Sequence, residues 1–416
     1  MKKNNAKKSY FFRKKILSCL CSLFFISIGS LAEAARFSTI DRQLGPNDAV
    51  IVAGPDGKIL FSHNAKKKLI PASIFKIFTS SMAFQVLGPD YRFRTEFYLT
   101  PERHLVVKGY GDPLLISEEL AVMAKGLKGV PQLANPTITD LVVDGSYFDK
   151  GIIIPGTEPD NPNPYNAPVG ALSVNFNTVS FKRNSATGAF ESAEPQTPLV
   201  PFIMHRVHSA PTGTNRIPLS PANNEPSLYA GHLIKWFLEQ EGMHFSGRVR
   251  SGKVDSKKDQ LIHTAYSSYT LTDIVDGLLH TSNNFTANQL FLTVGAVSCG
   301  NPATLDKGIQ AANQYAKNVL SVNTIAVSEG SGLSRGNRIT CQEMMTLLDG
   351  FEPYRDLMRK EGERSFKTGS LSGVSTQAGF IDTPGQGRYR YVVMMNTPGR
   401  PAVAVVKKIE AALSVR

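Results

Sequence analysis

The sequence predicts a mixed α/β fold in which one domain is split by a long insertion. Two observations carry this. Both ends of the chain mix strand patterns with helix patterns, while the stretch from about 90 to 226 differs from them in composition. At 416 residues there is also chain enough for two or three domains with sizeable cores. The expected division is 35–90 plus 227–416 for the split domain and 91–226 for the insertion.

The first 34 residues stand apart. Seven basic residues, Lys2 to Lys15, precede the apolar run ILSCLCSLFFISIG, and Ala32-Glu33-Ala34 supplies a small-x-small cleavage site. This predicts a secretory signal peptide cleaved after Ala34, and so a periplasmic protein. The run is short for a transmembrane span. Cys19 and Cys21 would leave with the leader. Cys299 and Cys341 would remain in an oxidising compartment, where a disulfide needs a proximity that sequence does not supply.

The pattern AVIVAGPDGKILF predicts a hairpin over Val50 to Phe61, turning at Pro55-Asp56-Gly57. From Ala72 to Leu87 the chain runs ASIFKIFTSSMAFQVL, between Pro71 and Gly88-Pro89. Its apolar residues leave no broad polar face, which predicts a buried helix. Lys76 is its only charge. Ser73 lies three residues earlier, on the same face. A lysine snorkelling to the surface fits this stretch equally well.

Strand patterns follow at Phe93–Leu99 and His104–Val107. Then come the loop GYGDPLL, a helix over Glu118–Lys128 and a short strand at Leu141–Val143 ending at Asp144. Residues 155–168 are rich in Pro and Asn and predict loop. Leu172–Phe181 alternates as a strand, and Lys182–Pro226 predicts an irregular or β-rich segment. An amphipathic helix over Leu228–Glu241 holds the only Trp. Two further helices, Thr270–His280 and Phe285–Val297, flank TSNN. RSFKTGSLSGVSTQAGFID and RYRYVVMMN read as two strands joined at Pro384-Gly385, and a helix begins at Ala402.

Composition excludes several classes. With 42% hydrophobic and 19% charged residues the chain is neither disordered, collagen-like nor heptad-based. Of the net charge of +12, the leader carries +6. The remaining +6, without a basic patch interleaved with aromatics, does not point to nucleic acid. It suits a polyanionic cell envelope and leaves room for peripheral association with a membrane.

No HExxH is present. His205 and His208 form HxxH without a third ligand, so no metal is expected, and no cofactor motif appears. There is no GxSxG elbow, and no histidine is evidently paired with a serine. A serine nucleophile here would need another base. A lysine serves when burial and nearby positive charge lower its pKa. The chain carries Ser-x-x-Lys once (Ser73, Lys76), Ser-x-Asn at Ser282 and Asn284, and Lys-Thr-Gly once (Lys367, Thr368, Gly369). Ser-x-Asn alone is weak, since Ser62, Ser173 and Ser321 also begin one. The order and context of all three are specific to serine penicillin-interactive enzymes.

With PASIFKIFTS, GYGDPLL, LVVDGSYF, SVNFNTVSF, TSNNFTANQL, EGSGLSRGN and FKTGSLSGV in one order, the chain resembles the DacB-type penicillin-binding proteins. These are D-alanyl-D-alanine carboxypeptidases and endopeptidases of the class C low-molecular-mass group. The resemblance runs from about Val50 to the C-terminus. The separation of 209 positions from Ser73 to Ser282 agrees with the inserted domains of that family. Glu329 departs from it, standing where Asp is more usual, and 182–226 looks short for a full set of insertions.

The resemblance implies a serine β-lactamase/DD-peptidase-like fold: an antiparallel sheet flanked by helices, with a helical subdomain and an inserted β-rich domain. It implies that Ser73 attacks the bond between the terminal D-alanines of a peptidoglycan stem peptide, with Lys76 as base. Ser282 would relay a proton to the leaving D-alanine, and Asn284 would hold Lys76 and the substrate amide. Lys367 and Thr368 would bind the terminal carboxylate. Gly369 would give the substrate room along its strand, and the N–H groups of Ser73 and Ser370 would form the oxyanion hole. Asp144, Arg335 and Ser372 would contact the zwitterionic end of meso-diaminopimelate. β-Lactams would acylate Ser73. Bland readings stand beside these: Asn284 as a helix N-cap, Lys367 as a strand-edge lysine, Gly369 as a bulge, Asp144 as a turn cap. A β-lactamase using the same trio and a non-catalytic β-lactam-binding envelope protein are the rival functions. The insertion argues against the first, and the intact trio against the second.

Overall fold

The computed structural model describes residues 37–135, 137–158, 161–208 and 210–414. The predicted signal peptide lies outside them. The first strand, Asp48–Ala53, is DAVIVA and is buried along its whole length. It must therefore have a layer on each face. Ala49, Ile51 and Ala53 pack into a core of helices, while Val50 and Val52 pack toward the C-terminal helix, Ala402–Ser414. This is the period-2 alternation of a sheet covered on both sides.

That sheet has six antiparallel strands. In spatial order they are Arg359–Glu361, Arg364–Leu371, Val374–Thr383, Gly387–Met395, Asp48–Ala53 and Ile59–His63. The expected hairpin near the N-terminus is present, closed by Gly54 N–H to Lys58 O. The run from Arg364 to Thr383 is two strands rather than one. It turns at Ser372-Gly373, where Gly373 takes a positive φ of 74°. The first of these strands pairs with Arg359–Glu361 only through Arg364 to Phe366. Among the described residues no strand pairs with the outer edge of its stretch from Lys367 to Leu371.

The helical layer consists of Phe75–Leu87, Leu271–Thr281, Asn284–Cys299, Leu305–Asn318 and Cys341–Phe351. The helix at Phe75–Leu87 is buried nearly all round and stops at Gly88, whose positive φ of 87° no β-branched residue would accept. The helices at 305–318 and 341–351 have strong amphipathic faces that the sequence reading left unassigned. Cys299 and Cys341 are both free thiols.

The insertion has its own core. A mixed sheet runs Val249–Ser251, Leu141–Asp144, Leu105–Gly109, Arg94–Leu99, Gln260–Tyr266. Helices Ser117–Lys128 and Glu225–Gln240 pack on it through Leu120, Met123, Tyr229, Leu233 and Phe237. The return boundary expected at 226/227 is therefore too early. The helix at 225–240 and the strand at 260–266 belong with the insertion, because only there do they find apolar partners and backbone pairing. The shift in composition misplaced it: 182–226 is polar and irregular, yet Thr178–Arg183, Phe190–Ser192 and Gly213–Pro218 form a small sheet on the rim of this core. The chain re-enters the outer domain beside its exit. Ser267 N–H donates to Phe93 O and Leu271 N–H to Tyr91 O.

Candidate active site

Ser73 stands on a single 3-10 turn, Ala72–Ile74, that feeds the helix at 75–87. The turn is set from outside. Thr376 Oγ1 donates to Pro71 O at 2.6 Å, and Ala72 is held at a positive φ of 49°. A non-glycine residue there is strained, a cost that accumulates at functional turns. Two glycines bring neighbours up against this turn. A Cβ on Gly369 would lie 2.7 Å from Ser73 N, and one on Gly332 would lie 2.0 Å from Ala72 O. Gly369 is thus no bulge. It keeps register with Thr376 and lets the strand touch the start of the helix.

Lys76 is fully buried, so the snorkelling reading fails. Its Nζ lies 2.9 Å from Ser73 Oγ, and donates to Asn284 Oδ1 at 2.8 Å and to Ser331 O at 2.8 Å. Burial lowers its pKa to about 7, helped by the Lys367 charge and opposed by Glu329. Asn284 is the first residue of its helix, and its neighbour Asn283 is the cap, accepting from Thr286 N–H. That leaves the Asn284 side chain free for Lys76.

Ser282 ends the helix at 271–281 in the left-handed region, φ 59° and ψ 33°. Lys367 Nζ donates to its Oγ at 2.8 Å and to Thr368 O at 3.0 Å. Burial lowers the Lys367 pKa to about 8. Lys367 and Gly369 face inward along the strand, while Thr368 and Ser370 alternate to the exposed side.

Arg335 and Ser372 meet, the guanidinium donating to Ser372 O at 2.5 Å. Asp144 is not joined to them. Its Oδ1 accepts from Ser146 N–H and its Oδ2 from Val254 N–H, both inside the insertion, and the side chain is buried. Among the described residues no ion pair links Asp144 to Arg335, and the bonds Asp144 makes cap the turn at Gly145-Ser146. His205 and His208 bond backbone carbonyls of Phe202 and Met204.

The sequence reading missed Thr79, Asn288 and Asn337. Thr79 Oγ1 donates to Gly330 O, and Asn288 bonds both Gly330 N–H and Glu329. Helical spacing was the available signal: Thr79 follows Lys76 by three residues and Asn288 follows Asn284 by four, so each shares its partner's face.

A serine at the entrance of a helix, within one hydrogen bond of a buried lysine and backed by an antiparallel sheet, is the arrangement of a serine hydrolase. The chain belongs to the D-Ala-D-Ala carboxypeptidase 3 (S13) family, whose model matches residues 38–210 and 184–360. It is 28% identical over 441 residues to the D-alanyl-D-alanine carboxypeptidase of Actinomadura sp. (strain R39), covering 86% of this chain and 79% of that one. It is 23% identical to the D-alanyl-D-alanine carboxypeptidase DacB of Haemophilus influenzae, over 82% and 83% of the two chains. The crystal structure of penicillin binding protein 4 (dacB) from H. influenzae shares the fold, with a TM-score of 0.72 and 20% identity over 90% of this chain and 98% of that one. A predatory peptidoglycan endopeptidase from Bdellovibrio bacteriovorus aligns with a TM-score of 0.51 and 18% identity, over 88% and 91%.

Proposed function

We propose that this D-alanyl-D-alanine carboxypeptidase works through an acyl-enzyme on Ser73, cleaving peptidoglycan stem peptides outside the cytoplasm, in the periplasm. The contact between Ser73 Oγ and Lys76 Nζ carries the reading. Neutral Lys76 takes the Ser73 proton as Oγ attacks the carbonyl of the penultimate D-alanine. The N–H groups of Ser73 and Ser370 receive the developing oxyanion, a contribution that is often the largest in acyl transfer. Ser282, bonded to Lys367, passes its proton to the amine of the leaving D-alanine and is reprotonated with the proton that Lys76 took from Ser73, so that Lys76 is neutral again. Water then cleaves the ester.

The outer edge from Lys367 to Leu371 supports a substrate lying as an added strand. Lys367 and Thr368 then meet its terminal carboxylate, and Arg335 and Ser372 a more distant charged group. β-Lactams acylate the same serine. A signal peptide over residues 1–34 delivers the protein to this substrate. Among the described residues no helix is long and apolar enough to cross a membrane. A cross-linked stem presents the same D-alanyl linkage, so endopeptidase action belongs to the proposal. Digestion of purified monomeric and cross-linked muropeptides, analysed by mass, tests it. Loss of one D-alanine from pentapeptide monomers supports carboxypeptidase action, and conversion of dimers to monomers supports endopeptidase action. No change in either, with a Ser73→Ala control, overturns the reading.

A further inference from the structure

Glu329 is a fully buried carboxylate beside the reaction centre that the roles above leave unused. Its Oε2 accepts from Asn288 Nδ2, Ser331 N–H and Ser331 Oγ. Its Oε1 accepts from Gly332 N–H at 2.7 Å, Ser334 N–H and Asn337 Nδ2. Every group aimed at it is a donor, which suits an acceptor-only carboxylate. Burying such a group is costly unless it is fully hydrogen-bonded, and here it is.

One of these bonds has a special position. The peptide unit joining Ser331 to Gly332 gives its N–H to Glu329 Oε1 and its C=O to Lys76 Nζ at 2.8 Å. A single amide therefore connects the carboxylate to the base. An amide whose N–H is held by an anion is a better acceptor at its oxygen, because hydrogen bonds in a chain polarise one another. The helices reinforce the arrangement. Lys76 and Thr79 hold Ser331 O and Gly330 O from one side, and Asn288 holds Gly330 N–H from the other.

We infer that Glu329 is a positioning residue for the reaction: through the Ser331–Gly332 peptide it fixes the Lys76 amine against Ser73 and keeps that amine basic enough to take the serine proton. The inference rests on Lys76 being the base. Two charged groups act on Lys76. Lys367, from the strand at 364–371, favours its neutral form, and Glu329, from the loop, favours its protonated form. Between them the amine stays a usable base near neutrality instead of a weak one.

The test is the pH dependence of acylation by a fluorescent penicillin, read on protein shown to be folded by its thermal melt. Glu329→Gln removes the charge and sets an NH2 against backbone donors. The acylation midpoint should move down by about one pH unit, the order expected for loss of one nearby charge. The plateau rate should fall by about tenfold or more. Glu329→Asp keeps the charge but draws it back by one methylene, so its midpoint should fall between the two. A Glu329→Gln midpoint equal to that of the parent protein overturns the inference, even if the rate falls, because loosened structure alone would not move a midpoint. If the glutamine variant does not fold, Glu329→Asn, which also removes the charge, decides: a lowered midpoint supports the role and an unchanged one overturns it. Lys76→Arg separates the two proposals. If it acylates at the parental rate, the base lies elsewhere, whereas an unmoved Glu329→Gln midpoint with inactive Lys76→Arg sinks only the role of Glu329.

Discussion

Lys76 Nζ lies 2.9 Å from Ser73 Oγ, one helical turn along the same face. No histidine takes part in that contact, so the proposed nucleophile and base sit on one 3-10 turn and the helix it feeds. Incubation with penicillin should add one drug mass to the protein, on the tryptic peptide containing Ser73. Ser73→Ala should remain unlabelled. Label on Ser282 instead would reverse the assignment.

The two lysines set opposite limits on pH. As the proposed base Lys76 must be neutral, above about 7, and to bind a carboxylate as proposed Lys367 must be charged, below about 8. Values of kcat/KM for a D-Ala-D-Ala peptide should therefore form a narrow bell, whose limbs are macroscopic values of the pair. Lys76→Arg should lose about 10²–10⁴-fold in acylation, since a guanidinium does not deprotonate.

Stability carries the same signature. Lys76 titrates near 7 when folded against 10.5 as its ordinary value. Between those values the unfolded chain binds the extra proton, so stability rises with pH across that window. The melting temperature of the parent protein relative to Lys76→Met should climb from pH 7 to pH 10. A flat difference would mean that the amine is charged in the fold.

Asp112 behaves in the opposite sense. Burial raises its pKa to about 7, with Glu119 adding to the effect. One oxygen accepts from Leu114 N–H, and the other, beside Ser267, makes no well-formed hydrogen bond. Its folded value lies above its unfolded one, so the stability it contributes is present at low pH and is lost as pH rises toward 7. Asp112→Asn should raise the melting temperature strongly at pH 8 and do little at pH 3, with an intermediate gain between. Equal shifts at both would point to packing rather than charge.

Asp144 and Arg335 should separate in kinetics. Asp144→Ala leaves two backbone N–H groups without acceptors, at roughly 1–3 kcal/mol each. It should lower the melting temperature and reduce turnover of all peptides alike. Arg335→Ala should cut turnover of diaminopimelate-containing peptides by about tenfold, with acetylated-lysine D-Ala-D-Ala analogues little changed. Selective loss in Asp144→Ala would restore it to the substrate pocket.

Much of the candidate site was legible because its parts are local. Ser73 with Lys76, Ser282 with Asn284, and Lys367 to Gly369 each occupy one turn or one strand, so order and spacing reveal them. Glu329 was visible only as a departure from a familiar pattern. Its six donors come partly from its own loop, at Ser331, Gly332 and Ser334, and partly from Asn337 and the distant Asn288; only the Asn284–Asn288 helical spacing hinted at this, and nothing local marked Asn337. The fold divides in the same way. Asp48–Ala53 could be read from its alternation, but the return from the insertion could not. The helix at 225–240 is amphipathic wherever it packs, and only its contacts with Val143, Leu141 and Val249 assign it. The hairpin at Ser372-Gly373 was read through because the residues on both sides share one strand-like composition.

The chain leaves the outer domain at Phe93 and returns at Ser267, and those two residues are hydrogen-bonded at 2.9 Å. Whatever lies between them is therefore a cassette on a closed clasp. Loop-closure entropy depends only weakly on the length enclosed, and here the clasp fixes the ends whether the cassette is large or small. The cassette has a second anchorage on the helix at 284–299, where Gln289 Nε2 donates to Gly111 O and Gly170 O, so it also buttresses the helix that carries Asn284. Cutting it out between Tyr91 and Ser268 would bare Leu292 and Ala296, which now pack against Phe148 and Ala171, so the clasp joins two halves that complete one another.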